Sequence, residues 1–534
     1  MKTLRKRGYL CGVTFMALTM AISFCWSAIV RASGPVVFDT NLSVRTVVSG
    51  LVQPTSMAFL NTDDFLVLEK ASGKVQRVLH GVVQPAPALD LAVNSGSERG
   101  LLGIALHPDF PRNPGVYLYW TESTATDANG NRIDSTLLTA TPLLGNRVDR
   151  FVWNGSTLTF ERNLIMLHAF QADAGQPLRG NHNGGVIVFE RRERDEEDDN
   201  DKDEDEDQDK GKDNRRDVKG ENDEDEKARL FIIIGDNGRR GQLQNLLNGP
   251  FGPGIPDDQF GGPRPDNAHL TGVILRLNDD GTTPRANPFF KFGAQLGGEV
   301  GANIQKIYAY GIRNSFGLAV DPHTGNLWNE ENGDDSFDEI NRITAGQNNG
   351  WVQVMGPISR VAQFKAIETD TAPHPPFAPA GYFGLQQIRW PPTNIAGTPA
   401  EAASRLVMLP GAHYSDPEFS WKFAIAPAAI GFLDSRALGR EYEGDLFVGA
   451  SRPSLDDGYL LRFKLKGDRR SLSFSDPRLA DRVADNSSKF DPTESETLRF
   501  GAGFGVATDI QTGPNGNLFV VSLSDGQVYE ISRK

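Results

Sequence analysis

Apolar residues along this chain come in short, β-branched and aromatic runs cut by Gly, Pro, Asn and Asp. Beyond the N-terminus no run sustains a 3.6-residue period, so the pattern predicts strands rather than helices. One phrase recurs: a strand, a tight turn, then a second strand. It occurs at 55–59 with 65–69, 100–109 with 115–120, 184–189 with 230–236, 317–322 with 327–328, 428–432 with 444–449, and 506–510 with 514–521. A third strand follows in some copies, at 74–78, 458–463 and 526–531. Such a small meander cannot bury both faces alone; radial stacking buries them and leaves short, protected edges. Six copies predict an all-β chain folded as a six-bladed β-propeller. The strands at 35–39 and 43–48 would complete the last blade and close the ring. Gly103, Ala105, Gly317 and Ala319 in first-strand slots suit a crowded centre. A β-sandwich, or two β domains, is the other architecture open to such strands.

Composition changes this picture little. The 56 glycines and 32 prolines are turn material, and 534 residues can form one β domain with long loops. At the N-terminus, Lys2, Arg5, Lys6 and Arg7 precede a mostly apolar stretch at 9–30. Val30 and Ala32 offer small residues at −3 and −1, which predicts a signal peptide over 1–32 and a mature chain over 33–534. An uncleaved membrane anchor is the alternative, and only then would the protein meet a membrane. Export predicts a periplasmic or secreted protein. The two cysteines, Cys11 and Cys25, both lie in this segment, so the mature chain would hold no disulfide and no thiol nucleophile.

The net charge of −14 is concentrated. Between residues 191 and 227, twenty acidic residues stand against ten basic ones. This acidic insert falls inside a repeat, where other copies have a short turn, and reads as a disordered loop at a blade edge. Asp199, Asp201 and Asp203 alternate as in a Ca²⁺ loop. Glu204 stands where that loop needs glycine, and Lys210 where it needs glutamate, so the pattern fails. No basic, aromatic surface suggests nucleic acid.

Candidate chemistry clusters at strand ends. His182 precedes a first strand and Asp236 follows the matching second strand, so a hairpin would bring them together. A carboxylate behind an imidazole is the arrangement of a general base. A structural His–Asp bond closing a turn accounts for the same spacing. Arg313 and Asn314 lie between the strands 307–310 and 317–320, where a fixed cation and an amide would face an anionic or carbonyl-bearing ligand. Pairing of Arg313 with a nearby acid is the simpler alternative. The turn at 331–335 offers oxygens suited to a hard cation. The remaining histidines lack zinc spacing, and no phosphate or dinucleotide fingerprint is present.

With these residues in view, the chain resembles the soluble PQQ-dependent glucose/sorbosone (aldose sugar) dehydrogenase family. The resemblance runs from about residue 48 to the C-terminus, apart from the acidic insert. It rests on the phrases at 98–110, 182–185, 234–236, 272–278, 287–289, 310–314, 338–341 and 349–351, in this order. It implies a six-bladed propeller that passes a hydride from sugar C1 to PQQ, with His182 as base, Asp236 as its support, and Arg313 and Asn314 on the quinone. It implies a Ca²⁺ held by the carbonyls of Gly333 and Asp334, and an external electron acceptor. Asp334 stands where the family has proline. Val506 and Thr508 stand where it carries two arginines for the cofactor's carboxylates, and Arg452 is the nearest basic candidate in the preceding blade. Two other readings remain open: a Ca²⁺-dependent hydrolase such as a lactonase, and a catalytically silent binding propeller.

Overall fold

The computed structural model describes residues 34–123, 143–169, 181–191, 227–238, 245, 270–370, 392–451 and 457–534. The signal segment at 1–32, the acidic insert apart from its two ends, and Arg452 lie outside these residues. Residues Pro35–Lys534 form one compact unit.

The chain is all-β, and its named strands fall into six sheets. Each repeat contributes neighbouring antiparallel strands to one sheet, as Gly317–Val320 does with Leu327–Glu331. The innermost strands touch one another in a closed circuit. Pro54–Asn61 meets Leu101–Leu106, which meets Ile187–Phe189, then Gly317–Val320, Pro427–Phe432, Ala507–Thr512, and Pro54–Asn61 again. The arrangement is propeller-like. It explains why the second strands carry little alternation: Asp64–Glu69, Leu327–Glu331 and Leu446–Ala450 are buried at every position. A sheet covered on both faces needs apolar side chains on both. Small residues mark the approach of inner strands. A Cβ on Gly103 would meet the carbonyl oxygen of Gly185 at 2.1 Å, and one on Gly431 that of Ile510 at 2.1 Å.

The strand Leu42–Ser49 pairs antiparallel with Gln527–Arg533, so the N-terminal segment completes the last sheet as expected. The preceding strand, Val36–Val37, departs from the expectation that it too would complete that sheet, because its main chain finds a different free edge. It pairs with Arg499–Ala502 in the sheet before, so the N-terminal strands tie together two sheets. Phe189 pairs with Leu230 on either side of the acidic insert, so the chain leaves and re-enters at one end of one sheet.

Among the described residues, four short α-helices interrupt the strand pattern: Phe290–Leu296, Gly298–Ile304, Val361–Glu368 and Pro399–Arg405. None spans more than about two turns, too few for a periodic signal. Pro399–Arg405 is the best marked, with Thr398 accepting from the Glu401 N–H and proline in the first turn. No helix among the described residues is long and apolar enough to cross a membrane.

Candidate active site

His182 enters the strand Ile187–Phe189 with φ of +57°, followed by Gly184 and Gly185, both also left-handed. This tight entry turns the imidazole back towards the end of the paired strand Arg229–Ile234, where Asp236 stands. His182 Nδ1 lies 2.6 Å from Asp236 Oδ1, and both residues are buried. The carboxylate accepts, so Nδ1 carries a proton, and in the neutral ring Nε2 presents its lone pair. Two further donors hold Asp236. The Gly238 N–H reaches Oδ1 at 2.8 Å, and the Trp351 indole N–H reaches Oδ2 at 3.0 Å.

Arg313 is drawn into the same cluster by its main chain. Its carbonyl accepts from the Asp236 N–H at 2.8 Å, and its own N–H donates to Glu331 Oε1 at 2.6 Å. The guanidinium is buried. Nη1 donates to the Asn332 carbonyl at 3.0 Å and Nη2 to Asp334 Oδ1 at 2.9 Å. Its Cζ lies 5.6 Å from the Trp351 ring centroid, within cation–π range. The expected pairing with a nearby acid is therefore present, and it coexists with placement beside the His–Asp pair.

Asn314 joins through Glu98. Glu98 Oε2 accepts from the His182 main-chain N–H at 2.6 Å and from Asn314 Nδ2 at 3.2 Å. Asn314 Oδ1 is buried without a hydrogen-bond partner among the described residues, an acceptor open to a ligand donor.

Gly333 and Asp334 lie on the far side of the guanidinium. The Gly333 N–H donates to Asp338 Oδ1 at 2.7 Å. The Asp334 side chain is committed to Arg313, so what it can offer a metal is its carbonyl, which the Lys489 ammonium approaches to 3.5 Å. Among the described residues no three His, Cys, Asp or Glu side chains converge as a metal cage. Buried acids surround the turn. Burial pushes the Glu331, Glu339 and Glu368 carboxyls above the ordinary carboxylate range. Hydrogen bonds from the Arg313 N–H to Glu331 and from Ser336 to Glu368 pull part of the way back.

A cavity opens beside the cluster, lined by Lys70, Glu98, Phe316, Val506, Thr508 and Asp509, among others. His182 and Arg313 are not in its wall; Glu98 connects the two. Lys70 Nζ donates to the Ser95 and Ser97 carbonyls at 3.0 and 2.8 Å. Burial pushes the Asp509 carboxyl up to about 6, against three hydrogen bonds from Ser56, Met57 and Gln511.

Residues 51–194 and 160–374 match the family described as Glucose / Sorbosone dehydrogenase, more than half of the chain. The chain belongs to the glucose/sorbosone dehydrogenase family. Quinoprotein glucose dehydrogenase B of Acinetobacter calcoaceticus is 29% identical over 319 residues, 59% of this chain. The match spans about half of that relative, 53% of its length. The aldose sugar dehydrogenase YliI of Escherichia coli K12 is 24% identical over 494 residues, covering 92% of this chain and 93% of the relative. The PQQ-bound aldose sugar dehydrogenase of Streptomyces coelicolor has the same fold. Its TM-score is 0.51 at 20% identity, covering 92% of this chain and 98% of that one.

In this glucose/sorbosone dehydrogenase family member, the positions singled out from the sequence are brought together at His182, Asp236, Arg313 and Asn314. Val506 and Thr508 do stand in the cavity wall, and Arg452 falls outside the described residues. Two residues were not singled out in the sequence: Glu98 and Trp351 sit inside phrases that carry the family resemblance, and that was their only signal. Glu331 reads, with the turn 331–335, as a source of oxygens for a hard cation; its Oε1 instead takes the Arg313 N–H.

Proposed function

We propose that this protein is an exported PQQ-dependent oxidoreductase, built on a six-bladed β-propeller, that oxidises a sugar or related alcohol at C1. The six sheets with their closed circuit of inner strands support the blade count. The observation that carries the chemistry is the 2.6 Å bond between His182 Nδ1 and Asp236 Oδ1, one main-chain hydrogen bond away from Arg313.

In this reading His182 Nε2 takes the proton from the anomeric hydroxyl while C1 loses a hydride, leaving a lactone carbonyl. Asp236 stabilises the imidazolium and keeps the ring oriented. When bound, PQQ supplies the two-electron acceptor. The Arg313 charge fits the reacting end of such a quinone, where it answers negative charge developing on an oxygen, and the free Asn314 Oδ1 beside it would accept from an N–H or O–H of the ligand. The Gly333 and Asp334 carbonyls are the groups that would hold Ca²⁺. Electrons would then leave to an external acceptor. The basic and apolar N-terminal stretch supports a periplasmic or secreted location.

The test is to add PQQ and Ca²⁺ to the purified protein and follow dye reduction with a panel of aldoses. Turnover is expected, and His182→Ala should abolish it while leaving the fold intact. Absence of quinone binding at micromolar concentration defeats the proposal. A second reading is a ligand-binding propeller without turnover. The mouth favours it, since Val506 and Thr508 bring no charge and Glu98 and Asp509 bring carboxyl groups. That reading predicts sugar binding without dye reduction.

A further inference from the structure

We infer that Trp351 is a positioning residue that sets the Asp236 carboxylate and the Arg313 guanidinium relative to one another. The inference rests on the reading of His182 as the base. Trp351 touches both groups with different parts of one rigid ring. Its indole N–H donates to Asp236 Oδ2 at 3.0 Å, and its face lies 5.6 Å from the guanidinium carbon.

The ring is itself held. Trp351 is 1% exposed and packs with Phe337, Val352 and Phe364. Its main-chain N–H donates to the Gly311 carbonyl at 3.0 Å, and its carbonyl accepts from Asn245 Nδ2 at 2.8 Å. Gly311 lies two residues before Arg313, so the ring and the arginine are fastened to the same turn.

A buried tryptophan in this chain does not pair its N–H as a matter of course. Trp328 and Trp421 are fully buried, and their indole nitrogens have no partner among the described residues. Trp120, also buried, does donate to a carboxylate, Asp149 Oδ2 at 2.8 Å, so the pairing is decided position by position, and at Trp351 the acceptor is the carboxylate behind His182. The effect of this bond is chemical. A donor on Oδ2 withdraws charge from the carboxylate and tempers its pull on the His182 Nδ1 proton. The ring face keeps the guanidinium from turning away when the site opens to a ligand.

The two contributions separate by substitution. Trp351→Phe keeps a ring face and removes the N–H; Trp351→Leu removes both. In Trp351→Phe the low-field proton resonance of the His182 Nδ1–H should move further downfield, and its loss in His182→Ala assigns it. The acid limb of kcat/KM should move to higher pH, with kcat falling about 10- to 100-fold. Trp351→Leu should raise KM as well. In the unaltered protein the Trp351 indole N–H resonance should shift with pH at the same midpoint as the His182 ring signals. That measurement needs no variant and serves if Trp351→Phe does not fold.

A Trp351→Phe protein with unmoved resonance and unmoved pH profile overturns the inference, whatever its thermal stability. So does an indole resonance that stays flat while His182 titrates. If the protein turns over no sugar but the resonance moves, the oxidoreductase reading fails and the positioning of the pair stands.

Discussion

The main-chain N–H of Asp236 donates to the carbonyl of Arg313 at 2.8 Å, across the meeting point of two sheets. The carboxylate behind the imidazole and the guanidinium are thus fixed to each other by backbone, before any side chain is considered. Gly235 makes the crossing possible. A Cβ there would meet the His182 carbonyl oxygen at 2.6 Å and the Arg313 carbonyl oxygen at 2.7 Å. Both obstacles are main chain and cannot swing aside. Gly235→Ala should therefore cost about 1–3 kcal/mol of stability, read by denaturant unfolding. It should also lower kcat/KM more than that loss alone explains, because it separates His182 from Arg313.

Arg313 uses both terminal nitrogens, one on the Asn332 carbonyl and one on Asp334. A lysine ammonium is a single point and cannot span both. Arg313→Lys should keep most of the stability and lose most of the activity. Arg313→Met should lose both, at about 3 kcal/mol, because Asp334 is left buried without this counter-charge. Chemical denaturation and dye-reduction kinetics on the two variants separate charge from geometry.

Asp509 lies in the inner strand Ala507–Thr512 and holds Ser56 and Met57 of Pro54–Asn61, where the first and last sheets meet. Burial raises its carboxyl to about 6, above the unfolded value of about 3.9. Between those values the folded state binds more protons than the unfolded state. This group's contribution to stability therefore falls as pH rises from about 4 to about 6, and is level above that. The slope is about 1.4 kcal/mol per pH unit at most. Asp509→Asn should flatten it. Urea unfolding of both proteins at pH 4.5 and 7 checks this, and an equal pH dependence in the two would refute the assignment.

On the proposed PQQ reading, the cavity wall at Val506 and Thr508 would bear on cofactor affinity. PQQ carries three carboxylates, and an added guanidinium can make charge-assisted bonds to them. Val506→Arg with Thr508→Arg should tighten PQQ binding about tenfold or more, measured by titration calorimetry. An unchanged affinity would place the carboxylates elsewhere in the site.

Removal of residues 35–49 should open the molecule. Leu42–Ser49 is the outermost strand on Gln527–Arg533, and Val36–Val37 the outermost on Arg499–Ala502. Their loss exposes two sheet edges. A lower and broader thermal transition, with aggregation, is expected.

Much of this architecture was legible along the chain. Runs of apolar residues cut by turns mark the strands, and their recurrence marks the sheets, because each strand and its turn are encoded by adjacent residues. The His182–Asp236 contact was legible for the same reason: a hairpin places its two ends together whatever surrounds it. The helices were not, since Phe290–Leu296 and its kind are too short to show a period. Nor was the path of Val36–Val37 onto a sheet other than the one Leu42–Ser49 joins. Only the tertiary structure brings the Trp351 indole to Asp236 across 115 positions, Glu98 to His182 across 84, and the Arg313 guanidinium onto Asp334 rather than another of the nearby acids. Glu98 and His182 flank strands of different sheets, and Trp351 reaches Asp236 through a late strand added to the same sheet, so which partners meet is decided by how distant strands and the sheets close on one another. That is a property of the whole circuit of inner strands and of no local stretch of sequence.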